Sequence, residues 1–269
     1  MRLISRMVCR FILPFFNDYG LLFFLFLGSS CTPSYREPPP LRIATAANVQ
    51  FAMDEIVQAF TEQTQIPCEM IIGSSGKLTA QILQGAPYDV FLSANMKYPE
   101  ELYEAGYAFQ APKVYAHGKL ILWALDPNIP LQLDQLNAPE IKHIALANPR
   151  NAPYGLAAME VLEASAKFAA LEPKLVYGES ISQCNQFVLS GGAQIGFTAK
   201  AIALSPQLRD RGSWIELADS LYTPIAQGVV VIKPNKREDP NSDAQAFYEF
   251  LFSEEVAGML EEYGYYIKK

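Results

Sequence analysis

The sequence predicts an α/β protein built as two lobes with a cleft between them. Short apolar runs of strand length alternate with helix-spaced apolar stripes beyond residue 40, and the alternation starts afresh after the proline-bearing stretch 126–130. A further observation concerns the turns: several place small hydroxyl or amide residues between an apolar run and the helical stripe that follows it.

The elements follow in order. LRIATAA, residues 41–47, reads as a strand, and Phe51, Ile56, Val57 and Phe60 then form a helical stripe. Residues 68–72 make a second strand; Leu78, Ile82 and Leu83 mark a second helix, stopped by Gly85 and Pro87. YDVFLSA, residues 88–94, completes a βαβαβ unit of parallel strands covered by helices. A helix over 99–105 leads to the long apolar strand KLILWAL, 119–125. The second series runs through HIALAN (143–148), a helix over 156–168, KLVYG (174–178), a helix over 181–189 and QIGFTAK (194–200). IAQGVVVIK, 225–233, reads as a strand, and 244–263 as one or two helices that return to the first lobe. Lobe one is thus expected over 41–120 and 222–269, and lobe two over 121–221. Ligands of open α/β sheets bind beyond the carboxyl ends of the strands, which places the expected site in the cleft.

The first 30 residues stand apart from this body. Arg2, Arg6 and Arg10 precede an apolar segment at 21–27, which ends in Gly28, Ser29, Ser30 and Cys31. That is an export signal in outline. Seven apolar residues are too few to span a bilayer alone. Three readings stay open: a lipoprotein leader with Cys31 as the lipidated residue, a leader whose removal frees a soluble protein, and a retained N-terminal anchor. Each places the body at the cell envelope, facing the periplasm. Residues 31–40 hold four prolines and read as a tether.

Without residues 1–30 the chain has 18 basic and 27 acidic residues, a formal charge of −9. An acidic body without a basic, aromatic-studded patch argues against nucleic acid as a partner. Cys68 and Cys184 are far apart in sequence and neither belongs to a C-x-x-C pair, so two separate thiols are expected, without metal or redox chemistry. Nothing in the pattern calls for an obligate oligomer, and a monomer is expected.

The turns carry the chemistry. Asn48 ends the first strand, Ser74 and Ser75 lie between Gly73 and Gly76, NPRNAPYG occupies 148–155, and Ser180 precedes another helix. A helix start leaves backbone N–H groups unpaired and carries partial positive charge, so several starts converging on one cleft make an anion site. Ordinary helix capping is the alternative at each turn taken singly. A small tetrahedral dianion suits such donors, because neutral N–H and O–H groups suffice for it. A protonated oxyanion would also need an acceptor, and only Asp89 lies close in sequence. Lys77 and Arg150 read as solvated charges beside the cleft, as long-range attraction for an anion or, last, as direct ligands. Tyr154, Phe197 and Tyr222 either pack in the core and hinge or wall the cleft. His117 and His143 are isolated, and no metal-ligating, P-loop or nucleophile-elbow pattern is present, which argues against an enzyme.

Taken as a set, TAANVQFAMDEIVQAF, GSSGKLTAQILQGAPYDVFLSAN, IALANPRNAPYGLAAMEVL and IGFTAKA resemble the successive motifs of the periplasmic molybdate-binding proteins that feed an ABC transporter. The resemblance covers about residues 41–267. It implies a type II periplasmic binding protein clamshell with three-layer α/β/α lobes. It also implies molybdate or tungstate as ligand, no cofactor, no catalysis, and a membrane permease as partner. Carried over residue by residue, it implies ligand contacts from Asn48, where relatives have serine, from Ser75 with neighbouring Ser74, and from the backbone at Tyr154 and near Phe197. A ligating tyrosine falls at Tyr222, or at Thr223 if alignment is strict on Pro224. Sulfate, phosphate or a small organic acid are the competing ligands, and an enzyme using the same cleft is the competing class.

Overall fold

The computed structural model describes residues 39–233 and 239–268. The leader, Cys31 and most of the tether lie outside the described residues. Two five-stranded mixed sheets organise the body.

The first sheet has the order β2-β1-β3-β10-β4. β1 (Leu41–Ala46) pairs in parallel with β2 (Cys68–Gly73) and with β3 (Val90–Ser93). β10 (Ile225–Val231) lies antiparallel to β3 and to β4 (Lys113–Gly118). Helices cover both faces. α1 (Gln50–Thr64), α8 (Ser242–Leu251) and α9 (Glu254–Glu262) pack one side through Phe60, Phe247 and Leu260. The Phe60 and Phe247 rings meet edge to face at 5.2 Å, and each fully buried ring contributes about 1.5–3 kcal/mol. α2 (Ser75–Leu83) and α3 (Lys97–Glu104) cover the other face through Leu78, Ile82 and Leu102.

The second sheet has the order β7-β6-β8-β5-β9. Its members are β5 (Leu120–Ala124), β6 (Ile144–Ala147), β7 (Leu175–Gly178), β8 (Ile195–Ala199) and β9 (Ser213–Glu216). Around it lie α4 (Pro153–Ala164), the short α5 (Phe168–Leu171), α6 (Ile181–Leu189) and the short α7 (Lys200–Ala203). β5 runs antiparallel to β8, while β6 runs parallel to both β7 and β8.

The chain passes between the sheets twice. Gly118 still pairs with β10, whereas Leu120 already pairs with β8, so the first crossing is the single residue Lys119. The second runs from the end of β9 to the start of β10. Lys119 ties the crossings together through ion pairs to Asp219 and, at 3.7 Å, to Glu216. The apolar run read as one strand from residue 119 is therefore only the second half of a longer segment. β4, the half before the crossing, is an edge strand carrying Lys113 and His117. β9 is a four-residue edge strand, half-exposed along its length.

Candidate functional site

Four turns meet between the sheets. They are the end of β1 at Ala46 to Asn48, the start of α2 at Ser74 and Ser75, the start of α4 at Ala152 to Tyr154, and the start of α6 at Ile181; together they line one cavity. The centre of a water-sized sphere has only about 10 Å³ of free space there. That is a small space, suited to a compact ligand. None of the lining residues carries a charge.

The two serines hold hydroxyls that do not cap their helix. Ser74 occupies the N-cap position of α2 in extended conformation, yet its side chain makes no capping bond. Its hydroxyl is buried and has no partner among the described residues. Leaving a buried polar atom unpaired is costly, so a missing partner in the cavity is the physical expectation. Ser75, 1% exposed, accepts the Ala94 N–H at 2.9 Å through its hydroxyl oxygen. That contact uses a lone pair and leaves the hydroxyl proton free to donate.

The backbone supplies the remaining donors. The N–H groups of Ser75, Tyr154 and Ile181 lie in the first turns of α2, α4 and α6, which have no intrahelical acceptor for them, and none has a partner among the described residues. Pro153, at the first position of α4, loses no needed donor there. Ser180 does cap its helix, accepting the Gln183 N–H at 3.4 Å. The turn thus contributes the Ile181 N–H to the cavity and not the Ser180 hydroxyl.

The lobes are drawn together over this cavity. The Gly76 N–H donates to the Asn151 carbonyl at 2.8 Å, and the Tyr98 hydroxyl to the Arg150 carbonyl at 3.2 Å. Lys77 pairs with Glu179 at 2.7 Å, and the Ser182 hydroxyl donates to Gln50 Oε1 at 2.8 Å. Every one of these contacts links the two lobes.

A profile of the family described as bacterial extracellular solute-binding protein matches residues 41–266. The chain belongs to that family. It is 38% identical over 226 residues to the molybdate-binding protein ModA of Rhodobacter capsulatus, covering 82% of this chain and 86% of that one. The solved structure of the Azotobacter vinelandii periplasmic molybdate-binding protein superposes with a TM-score of 0.79 at 31% identity, over 85% of this chain and all of that one. A substrate-binding domain of a putative molybdenum ABC transporter from Clostridium difficile gives a TM-score of 0.62 at 29% identity, over 86% and 99% of the two chains. The two-lobed type II periplasmic binding architecture read from the sequence is the one present.

Within this solute-binding fold the residues singled out by sequence divide into two groups. Asn48, Ser74, Ser75 and Tyr154 come together at the cavity; Phe197, Tyr222 and Thr223 lie elsewhere. The side chain of Asn48 turns away from the cavity, its amide donating to Gln227 Oε1 at 2.8 Å and to the Tyr265 hydroxyl at 3.2 Å. What it presents to the cavity is backbone. Phe197 sits in mid-strand opposite Leu122, its ring wholly inside the second lobe. The Tyr222 hydroxyl accepts the Leu120 N–H at 3.3 Å and donates to Asp219 at 3.2 Å, beside the chain crossings. Thr223 directs both its N–H and its hydroxyl to Glu160, at 2.6 and 3.2 Å. Asp89 accepts the Arg42 N–H at 2.9 Å and is not at the cavity. Sequence reasoning missed Ile181, although the capping serine before it was a usable signal.

Proposed function

We propose that this protein captures molybdate at the cell envelope and delivers it to an ABC-type permease. The observation that carries the reading is the cavity itself: one compact group's worth of space, surrounded by unpaired neutral donors from three helix starts and two non-capping serines. A fully ionised tetrahedral dianion satisfies all of these donors and requires no acceptor in return. The kinship with molybdate-binding relatives supports the same ligand. The activity is binding and transport, not catalysis. Closure proceeds because only the joined lobes offer every donor at once, so ligand shifts the population toward that form.

Tungstate, with the same charge and shape, is accommodated by the same donors in this proposal. The ligand set is the Ser74 and Ser75 hydroxyls with backbone N–H groups at Asn48, Ser75, Tyr154 and Ile181. The lobes correspond to 41–120 with 222–269 and to 121–221, a boundary one residue past the change of sheet at Lys119. The protein acts as a monomer, tethered through a lipidated Cys31; mass measurement of the envelope form tests both points.

The direct experiment is calorimetric titration with molybdate, tungstate, sulfate and phosphate in separate runs. Tight one-to-one binding of molybdate and tungstate, with weak sulfate and phosphate binding, is the expected result. Preference for sulfate or phosphate would assign the cavity to another oxyanion.

A further inference from the structure

Tyr154 contributes to the cavity through its backbone, while its side chain does something separate. The residue is 1% exposed and belongs to the core of the second lobe, while the hydroxyl end of its ring reaches across to Gly118 of the first. That hydroxyl, buried and without a hydrogen-bond partner among the described residues, lies beside a group of polar side chains formed by Asn48, Tyr115, Gln227 and Tyr265. The Tyr115 hydroxyl donates to Gln227 Oε1 at 3.0 Å, and the Tyr265 hydroxyl donates to the Asn48 carbonyl at 3.0 Å. The tip of the phenol rests on Gly118, the last residue before the chain crosses between sheets. A Cβ at Gly118 would overlap the Tyr154 hydroxyl oxygen outright and would lie 3.1 Å from Cζ and 3.0 Å from Gln227 Nε2. Gly118 is therefore the seat of the ring, and the seat lies at the pivot.

We propose that Tyr154 and Gly118 form a hinge stop that sets how far the lobes close, and thereby which size of tetrahedral oxyanion the cavity holds. This rests on the anion-binding reading above. Interlobe rotation must carry Tyr154 toward or away from the crossing at Lys119, because the ring belongs to one lobe and Gly118 to the other. Contact between them halts closure at one separation of the donor sets. A stop that protrudes further keeps the donors apart; a shorter one lets them approach and favours an ion with shorter bonds, such as sulfate. Tyr154 is in this respect a positioning residue, acting on the ligand through lobe separation.

The test compares the envelope-exported protein with Gly118→Ala, Tyr154→Leu and the pair Gly118→Ala with Tyr154→Phe, each confirmed as folded by its thermal transition. Molybdate and sulfate affinities are measured by calorimetry, and the compactness of the liganded form by small-angle scattering. Gly118→Ala is expected to weaken molybdate binding about tenfold and to leave the liganded protein less compact. Adding Tyr154→Phe removes the overlapping oxygen, leaves the milder approaches of 3.1 Å to Cζ and 3.0 Å to Gln227 Nε2, and recovers most of that loss. Tyr154→Leu shortens the stop and shifts the sulfate-to-molybdate affinity ratio upward, about fivefold or more. Should Gly118→Ala fail to fold, the Tyr154→Leu ratio decides alone. An unchanged affinity ratio in Tyr154→Leu, or a Gly118→Ala defect that Tyr154→Phe leaves untouched, overturns the hinge stop while the anion site stands. If the unaltered protein binds no oxyanion, the anion-binding reading falls and the hinge stop with it.

Discussion

Ser74 and Ser75 stand side by side in sequence, but replacing them by alanine should have different consequences. The Ser74 hydroxyl has no partner among the described residues, so under the proposed ligand set Ser74→Ala removes a contact to ligand and nothing else. A hydrogen bond to a charged group contributes about 2 kcal/mol, so molybdate affinity should fall about thirtyfold. The melting temperature without ligand should stay within about 2 °C, since no internal bond is lost. Ser75→Ala removes the same kind of ligand contact and also strands the buried Ala94 N–H, which now donates to Ser75 at 2.9 Å. That orphan costs about 2 kcal/mol in the ligand-free protein, equivalent to a fall of about 4–8 °C in a body of this size. Calorimetry gives the affinities and ligand-free thermal unfolding gives the stabilities. The reasoning is refuted if Ser74→Ala binds molybdate as tightly as the parent, or if it destabilises the ligand-free protein as much as Ser75→Ala does.

Closure, release and alkaline stability give further expectations. Gly76→Ala places a Cβ 2.8 Å from the Tyr98 hydroxyl and 2.9 Å from the Asn151 backbone; with the 2.8 Å interlobe hydrogen bond obstructed, dissociation in stopped-flow release should quicken about tenfold. Lys77→Met breaks the pair with Glu179, whose partners are both about half exposed, so it should accelerate release by no more than about fivefold, an effect that vanishes in high salt. Burial pushes the Cys184 thiol up to about 12 from an ordinary 9.0, and drives the phenols of Tyr115, Tyr154 and Tyr265 upward as well. The folded state holds these protons longer than the unfolded chain, so their contribution is complete below pH 9 and declines as pH rises from 9 toward 12. Denaturant unfolding across that interval should show falling stability, and a flat profile would contradict the assignment of these groups as buried.

Much of the fold could be read because buried parallel strands are apolar runs and their covering helices carry periodic stripes. Residues 41–47 and 88–94 show the first, Phe51 to Phe60 the second. β4 and β9 escaped because edge strands are only partly covered: Lys113 and His117 dilute the apolar pattern of one, and the other is four residues long. The lobe boundary read from the sequence lies between residues 120 and 121, yet the segment reads as one strand there, since the residues on the two sides of the crossing belong to different sheets but read as neighbours. At the site, Ser74 and Ser75 were legible because two hydroxyls between glycines at a helix start are chemically conspicuous. A backbone donor has no side-chain signature, and this explains why Ile181 was overlooked and Phe197 chosen in its neighbourhood. Tyr222 has a phenol suited to an anion, yet its seat beside Leu120 and Asp219 depends on where the crossings run, which periodicity does not encode.

The fit between the Tyr154 ring and Gly118 also constrains the route by which such a pair can arise. The tyrosine hydroxyl at 154 fits in its present seat only when position 118 already lacks a Cβ, whereas glycine at 118 is compatible with a smaller residue at 154. The two changes therefore have a permitted order, glycine first. Once both are in place the path back has to run in the reverse order, because a side chain restored at 118 meets the ring unless the ring has been lost first.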